Sequence, residues 1–272
     1  MTTEHERSRR GVLRGAAAVT LGTGFAAGAT AGTAAAVGGT ARADEPVSGA
    51  SARERSGRRL DVAVLLYDGF TALDAVGPYE TLCRVPGVRV TMVARRAGPV
   101  RTDTGELSVT AERSLREMPR ADVLLVPGGG ERGTTTTMAD AGTLDWIRRV
   151  HRRSTWTTSV CTGALILGAA GLLRGLPATT HWASGPYLGE FGATYTPGRF
   201  VEAGKIITAA GVSAGVDMAL HLAARLSDEK VAQAMQLALE YDPDPPYDTG
   251  SPEKADAELR ALALRLIADA AV

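Results

Sequence analysis

Short apolar runs alternate with amphipathic segments over residues 60–241, and this alternation predicts the fold. Four runs have the length of a strand and few charged positions, at residues 60–67, 88–94, 121–130 and 155–160. Such runs are typical of strands that are buried on both faces of a parallel sheet. Because helices are predicted between them, the chain is expected to form an α/β domain with a mostly parallel sheet and helices on both faces.

Less regular segments complete the predicted order of elements. A hairpin is expected over residues 100–112, and further strands over 177–180 and 193–210, the last pair turning at Gly204. Helices are predicted after the first strand as far as Leu82, directly after Cys161, and over residues 144–153, 182–191, 213–226 and 228–241.

The chain beyond residue 241 predicts a tail. A proline-rich segment, DPDPPYDTGSP, leads to a helix expected to begin near Ser251 and Pro252 and to run to Val272. The apolar stripe of this helix is expected to pack either on this chain or on a second chain, through Leu259, Leu262, Leu266 and Ile267.

The first residues have the pattern of an export signal. Arg9 and Arg10 precede an apolar pair and a basic residue, an uncharged run follows over residues 15–40, and ARA at 41–43 offers a cleavage site. The sequence predicts a twin-arginine signal at 1–43, a polar linker at 44–59 and a single domain at 60–272. The protein is expected to be exported by the twin-arginine machinery to the periplasm or the extracellular space. The alternatives are a retained anchor, which the glycines and threonines disfavour, and a disordered tail.

Composition narrows the function classes. Without residues 1–43, the chain keeps 25 basic and 28 acidic residues and has no basic stripe, so nucleic-acid binding is not expected. The chain has two cysteines, Cys83 and Cys161, which argues against a disulfide framework. It has no Cys/His cluster at metal-ligand spacing, which argues against a zinc site. No metal or other cofactor is expected.

Cys161 stands where a predicted strand meets a predicted helix, in TSVCTGALILGAAGLL. A tight strand-to-helix turn exposes such a side chain at the sheet edge, and the N–H groups of the helix start favour thiolate over thiol. The backbone N–H groups of Gly129 and Thr162 are predicted to face each other and stabilise negative charge. Cys161 is therefore the candidate nucleophile; the alternative is a small buried core residue, which is the interpretation preferred for Cys83.

Histidines and carboxylates are the candidates for the proton partner of this cysteine. His151 is expected to be solvated and His221 to be structural, which leaves His181 as a pocket candidate together with Gly128. Asp74 follows the first strand by one loop; it is either an acid/base carboxylate with a raised pKa or the N-cap of the next helix, and both interpretations stay open. Glu80, further along that helix, is expected to be solvated.

Several motifs together resemble the ThiJ/PfpI superfamily, and within it the isonitrile hydratase branch: LDAVGP, VPGG, TSVCTGALILGAAGLL, ATTHWA, AAGVSAGVDMAL and LEYDPDPPYDTGSP. The resemblance implies a flavodoxin-like three-layer sandwich with a nucleophile elbow, and a homodimer. It also implies that Cys161 is the nucleophile, Asp74 the acid/base group and Thr162 a hydroxyl that positions the reacting groups. Peptidase relatives have histidine after the cysteine, so Thr162 argues against a peptidase.

The expected reaction is hydration of an isonitrile to an N-substituted formamide. The Cys161 thiolate would add to the terminal carbon while Asp74 supplies a proton, and Asp74 would then activate water against the resulting thioimidate. Two alternatives remain open at this stage: glyoxalase-like or deglycase-like chemistry on small reactive carbonyls, and a non-catalytic extracellular ligand-binding module.

Overall fold

The computed structural model describes residues 58–271. The predicted export signal at 1–43 and nearly all of the predicted linker at 44–59 lie outside these described residues. Among the residues described, no helix is both long enough and apolar enough to cross a membrane.

Eleven strands are present in the described part of the chain. They are β1 (Leu60–Leu65), β2 (Val88–Ala94), β3 (Gly98–Arg101), β4 (Ser108–Ala111), β5 (Arg113–Ser114), β6 (Val123–Val126), β7 (Trp156–Val160), β8 (Pro177–Ala178), β9 (Thr194–Tyr195), β10 (Phe200–Ala203) and β11 (Ile206–Ala209). Seven of them form one sheet in the order β10-β11-β7-β6-β1-β2-β5, in which only β10 runs antiparallel to its neighbour. The predicted hairpin before β5 exists as the separate pair β3-β4.

Seven α-helices are present in the same described part of the chain. They are α1 (Ala72–Leu82), α2 (Glu131–Ala139), α3 (Ala141–Arg153), α4 (Gly163–Ala169), α5 (Ala214–Leu226), α6 (Glu229–Ala238) and α7 (Ala257–Ala270). Helices α1 and α5 pack with one face of the sheet, and α3 and α4 pack with the other. The flavodoxin-like three-layer sandwich expected from the sequence is therefore confirmed.

Two apolar clusters, one on each sheet face, hold these layers together. Alternate residues of β1 go to opposite clusters, with Val62 and Val64 on the α1/α5 side and Ala63 and Leu65 on the α3/α4 side. Because β1, β2, β6 and β11 each contribute to both clusters, their sequences are mostly apolar runs instead of alternating ones. Trp146 is fully buried on the α3 side, where its indole N–H donates to the carbonyl of Met118.

Some elements differ from those predicted. Helix α2 was not expected, because its sequence, ERGTTTTMA, contains four consecutive β-branched threonines with weak helix propensity. The hydroxyls of Thr135 and Thr137 donate to carbonyls of the preceding turn, which satisfies them inside the helix. Residues Trp182–Phe191 form a 3₁₀ helix where a helix of ordinary pitch was expected, with Pro186 inside it. A short 3₁₀ turn, Pro252–Lys254, precedes α7.

Candidate active site

A strained turn carries Cys161 at the carboxyl end of β7. Its φ angle is 56°, in the left-handed region that residues with a side chain rarely adopt, and its side chain is almost fully buried. Gly163 makes the turn feasible, because a Cβ atom there would lie 2.2 Å from the carbonyl oxygen of Val126. The predicted nucleophile elbow is thus present, with β7 before it and α4 after it.

Asp74 lies inside the first turn of α1 and is completely buried. Its Oδ2 atom accepts a hydrogen bond from the backbone N–H of Gly128 at 2.9 Å, across 54 residues of sequence. Its Oδ1 atom has no hydrogen-bond partner of normal geometry among the described residues. The helix cap is Thr71, so the alternative that Asp74 is the N-cap is wrong, and its carboxyl is directed towards the loop of Gly128.

The Asp74 carboxyl and the Cys161 thiol perturb each other's ionisation. Burial raises the pKa of Asp74 from 3.8 to about 7, with a further rise from the charge of Asp103, against the hydrogen bonds from Gly128 and Cys161. A carboxyl with this pKa can both accept and release a proton near neutral pH.

The thiol of Cys161 is the favoured form, and the expected thiolate is wrong. Burial raises the pKa of this thiol, and the nearby Asp74 charge raises it further; the backbone N–H groups of Thr162 and Val212 oppose both effects without overcoming them. Helix α4 has only seven residues, and its N-terminal donors cannot offset the desolvation. Of the two groups, the carboxyl is therefore the one that ionises first.

The two predicted backbone donors are arranged differently from the expectation. The Gly129 N–H donates to the Thr162 hydroxyl at 2.9 Å instead of pointing at the same space as the Thr162 N–H. The second N–H that reaches the sulfur comes from Val212, which sequence reasoning missed. The signal for it was the glycine-rich stretch AAGVSAGVDMAL, in which the backbone after β11 approaches Cys161.

Gly128 brings these groups together because it has no side chain. A Cβ atom on Gly128 would lie 2.6 Å from the backbone nitrogen of Thr162, 2.7 Å from its hydroxyl oxygen and 2.8 Å from Asp74 Oδ2. The Thr162 hydroxyl and Asp74 Oδ2 therefore both lie close against Gly128, and this close approach requires glycine at position 128.

Substituting Gly128 with alanine should disturb this arrangement strongly. Moving the Thr162 backbone away from the new methyl group is expected to lower kcat by about 100-fold and the free energy of unfolding by about 2 kcal/mol. Gly189→Ala is the matched control, since nothing lies within 4 Å of its Cβ position and its φ is not in the left-handed region. Steady-state kinetics and thermal unfolding of both variants check the prediction; equal activity of the two variants would contradict it.

Of the predicted histidines, only His181 lies close to the site. Its ring packs against Gly211, the residue before Val212, since a Cβ atom added to Gly211 would lie 3.0 Å from the ring. Burial lowers the pKa of His181. His151 is not solvated as expected: it is partly buried, and its Nδ1 lies 2.9 Å from the hydroxyl of Thr157. His221 is structural, as predicted, with Nε2 2.5 Å from Glu202 Oε2.

The remaining candidates lie away from the elbow. Glu80 forms an exposed ion pair with Arg84, which follows the end of α1. Cys83 is the C-cap of α1 and partly exposed, so its assignment to the core is wrong; its Sγ lies 3.4 Å from Arg84 Nη1. Within residues 58–271, no group of three or more His, Cys, Asp or Glu side chains is arranged to hold a metal ion.

Comparison with known proteins gives consistent matches to this architecture. The model of the DJ-1/PfpI family matches residues 60–225. An isonitrile hydratase of Pseudomonas putida is 43% identical over 196 residues, which span 72% of this chain and 85% of that protein. The crystal structure of a ThiJ/PfpI family protein from Pseudomonas syringae is 40% identical, with a TM-score of 0.73 over 78% of this chain and 87% of that one.

A relative of another kind is more distant. An HTH-type transcriptional regulator of Pseudomonas aeruginosa is 30% identical over 183 residues, and the matched part spans 63% of this chain but only 52% of the regulator. The matched architecture therefore occurs in proteins with different activities, and the activity depends on the residues of the site.

Proposed function

This chain belongs to the DJ-1/PfpI family, and on that premise we propose that it is a cysteine-dependent enzyme that hydrates an isonitrile, R–N≡C, to an N-substituted formamide. The observation that carries the proposal is the buried pair of Cys161 and Asp74, in which a neutral thiol adjoins a carboxyl whose pKa is about 7. Similarity to the isonitrile hydratase of Pseudomonas putida supports the choice of substrate class.

In the first step, the Cys161 sulfur attacks the terminal carbon of the isonitrile. Because Asp74 ionises before the thiol does, its carboxylate is the available base, and it takes the thiol proton as the C–S bond forms. Asp74 then delivers the same proton to the carbon, which gives a covalent thioimidate, R–N=CH–S–Cys. The addition is complete without any outside acid or base, and the carboxylate is regenerated.

In the second step, the same carboxylate activates water. Asp74 removes a proton from the water as the water oxygen bonds to the thioimidate carbon, and it passes this proton to the nitrogen, which gives R–NH–CH(OH)–S–Cys and restores the carboxylate. The C–S bond then breaks, the hydroxyl proton passes through Asp74 to the sulfur, and the formamide leaves. The steps add one water to one isonitrile and require no metal or organic cofactor.

The backbone around the elbow supports these steps. The N–H groups of Thr162 and Val212 both point at the sulfur, so they can stabilise negative charge on it while the C–S bond forms and breaks. The Thr162 hydroxyl lies against the same glycine as Asp74 Oδ2. In this proposal it donates a hydrogen bond to the substrate nitrogen.

Turnover by the purified wild-type chain tests the proposal. A panel of small alkyl and aryl isonitriles should each yield the corresponding formamide, detected by the formyl proton in NMR spectra, at rates well above the reaction without enzyme. A parallel assay of methylglyoxal loss tests glyoxalase-like chemistry with the same cysteine. If methylglyoxal is consumed and no formamide appears, the hydratase proposal is wrong.

The second candidate is a non-catalytic ligand-binding domain, which the similarity to a transcriptional regulator favours. A binding domain would hold an isonitrile or another small ligand without consuming it. Calorimetry that shows saturable binding, together with unchanged ligand after prolonged incubation, would favour this alternative over the enzyme.

A further inference from the structure

Three hydroxyl groups form a continuous chain behind the elbow. The Thr162 Oγ1 lies 3.1 Å from the Thr134 Oγ1, and each of the two oxygens also lies 3.1 Å from the carbonyl oxygen of Gly129. The Thr134 hydroxyl in turn contacts the hydroxyl of Tyr67, which donates to the carbonyl of Pro127 at 3.1 Å. Thr134 is 3% exposed, so water does not compete freely for these bonds.

The number of protons on these three hydroxyl groups limits how their hydrogen bonds can be arranged. Each hydroxyl has one proton to donate, and the proton of Tyr67 is used on Pro127. The carbonyl of Gly129 can be satisfied by Thr134 or by Thr162, at the same distance from both. When Thr134 donates to this carbonyl, the proton of Thr162 is free for another acceptor.

The free proton of Thr162 has a use in the proposed reaction. The Thr162 oxygen accepts the Gly129 N–H at 2.9 Å, which fixes its position, while its proton can still rotate away from the Gly129 carbonyl. Asp74 Oδ2 lies against the same Gly128 as this hydroxyl. A substrate nitrogen above Cys161 gains electron density when the sulfur adds to the adjacent carbon. A hydrogen bond from Thr162 would stabilise that charge in the transition state.

We propose that Thr134 is a positioning residue, which satisfies the Gly129 carbonyl and thereby leaves the Thr162 hydroxyl free to donate to the reacting nitrogen. This inference rests on the proposed hydratase function. Without the Thr134 hydroxyl, the partly buried Gly129 carbonyl would have only the Thr162 proton to satisfy it, and leaving it unpaired is costly. Thr162 would then remain turned towards the carbonyl.

Thr134→Val removes this hydroxyl at nearly constant volume. We expect kcat for formamide formation to fall roughly tenfold while KM changes less than about twofold, because the lost bond acts in the transition state. Thr134→Ser should restore most of kcat, since it restores the donor. Thr135→Val is the matched control on the same helix: Thr135 is exposed, and its hydroxyl donates to Glu131 and Arg132 within α2.

A double-mutant cycle separates positioning from a structural role. If Thr134 acts through Thr162, Thr162→Val alone and the double variant Thr134→Val/Thr162→Val should have the same kcat. The inference would be overturned if the two substitutions multiplied their effects on kcat in the double variant. It would also be overturned if kcat were unchanged in Thr134→Val, or if Thr134→Ser did not restore kcat. If Thr134→Val does not fold, Thr134→Ala takes its place in the cycle.

The same experiment distinguishes the two proposals. Wild-type turnover with an unaffected Thr134→Val variant overturns the role of Thr134 and leaves the hydratase function intact. Absence of formamide with the wild-type chain overturns the hydratase function and, with it, this inference.

Discussion

Replacing Cys161 with alanine should abolish formamide formation, with kcat reduced by about 10⁴-fold or more. The sulfur is the only atom at the elbow that can form the covalent thioimidate, and the remaining groups can only orient water and substrate. Formamide production at saturating isonitrile, compared with the wild-type chain at equal concentration, measures the effect.

Loss of activity in this variant should not come from misfolding. Alanine keeps a Cβ atom at the strained φ of 56°, so the strain of the turn is unchanged. The N–H groups of Thr162 and Val212 lose their sulfur acceptor, which is expected to cost about 1 kcal/mol of unfolding free energy. The variant should therefore fold, and thermal unfolding followed by circular dichroism checks it.

Cys83→Ala is the control, because Cys83 is partly exposed at the end of α1. It should retain wild-type kcat. Intact-mass analysis of acid-quenched reactions should show an adduct of one isonitrile mass on the wild-type chain and on Cys83→Ala, and no adduct on Cys161→Ala. Wild-type turnover by Cys161→Ala would contradict the covalent mechanism.

The sheet could be predicted from the sequence because its long strands contain short apolar runs. Residues 62–66 and 92–94 contribute to both buried faces, and such runs are typical of strands in a parallel sheet. Helix α2 could not be predicted in this way. Its threonine run has low helix propensity, and the hydroxyl bonds that keep it helical are visible only in the structure.

The sequence predicted which residues meet at the site, but it did not predict the protonation state of Cys161. The strand ends and the strand-to-helix turn pointed to Cys161 and to the loop around Gly128, and the structure brings both together with Asp74. The protonation of Cys161 depends on how deeply the thiol is buried, which no local pattern reports. Thr134 was missed for a related reason, because its contacts with Thr162 and Gly129 cross between separate elements.

Replacing Asp74 with asparagine should lower kcat by about 10³-fold, because the amide cannot take the thiol proton or activate water. Asparagine has nearly the same shape, and its side-chain oxygen can still accept the N–H of Gly128. Asp145→Asn is the control: Asp145 is an exposed carboxylate that pairs with Arg148, and its replacement should leave kcat unchanged. Activity within a few-fold of wild type in Asp74→Asn would exclude Asp74 as the acid/base group.

The same substitution should make the protein more stable above neutral pH, relative to the wild-type chain. The folded state raises the pKa of Asp74 from 3.8 to about 7, so between these values it binds more protons than the unfolded state does. The wild-type chain therefore loses unfolding free energy as the pH rises through this window, by about 4 kcal/mol between pH 4 and pH 8 from this group alone. The amide side chain of the Asp74→Asn variant has no charge to bury, and its contribution is independent of pH.

Urea unfolding of the two proteins from pH 4 to pH 8 measures this difference. Asp74→Asn should gain stability relative to wild type as the pH rises, with the gain levelling off above pH 7, and Asp145→Asn should follow the wild-type curve. A constant difference across the range would mean that Asp74 is ionised in the folded protein at acidic pH. In that case the carboxyl would be a weak base, and the proton transfer from Cys161 to Asp74 in the proposed first step would be untenable.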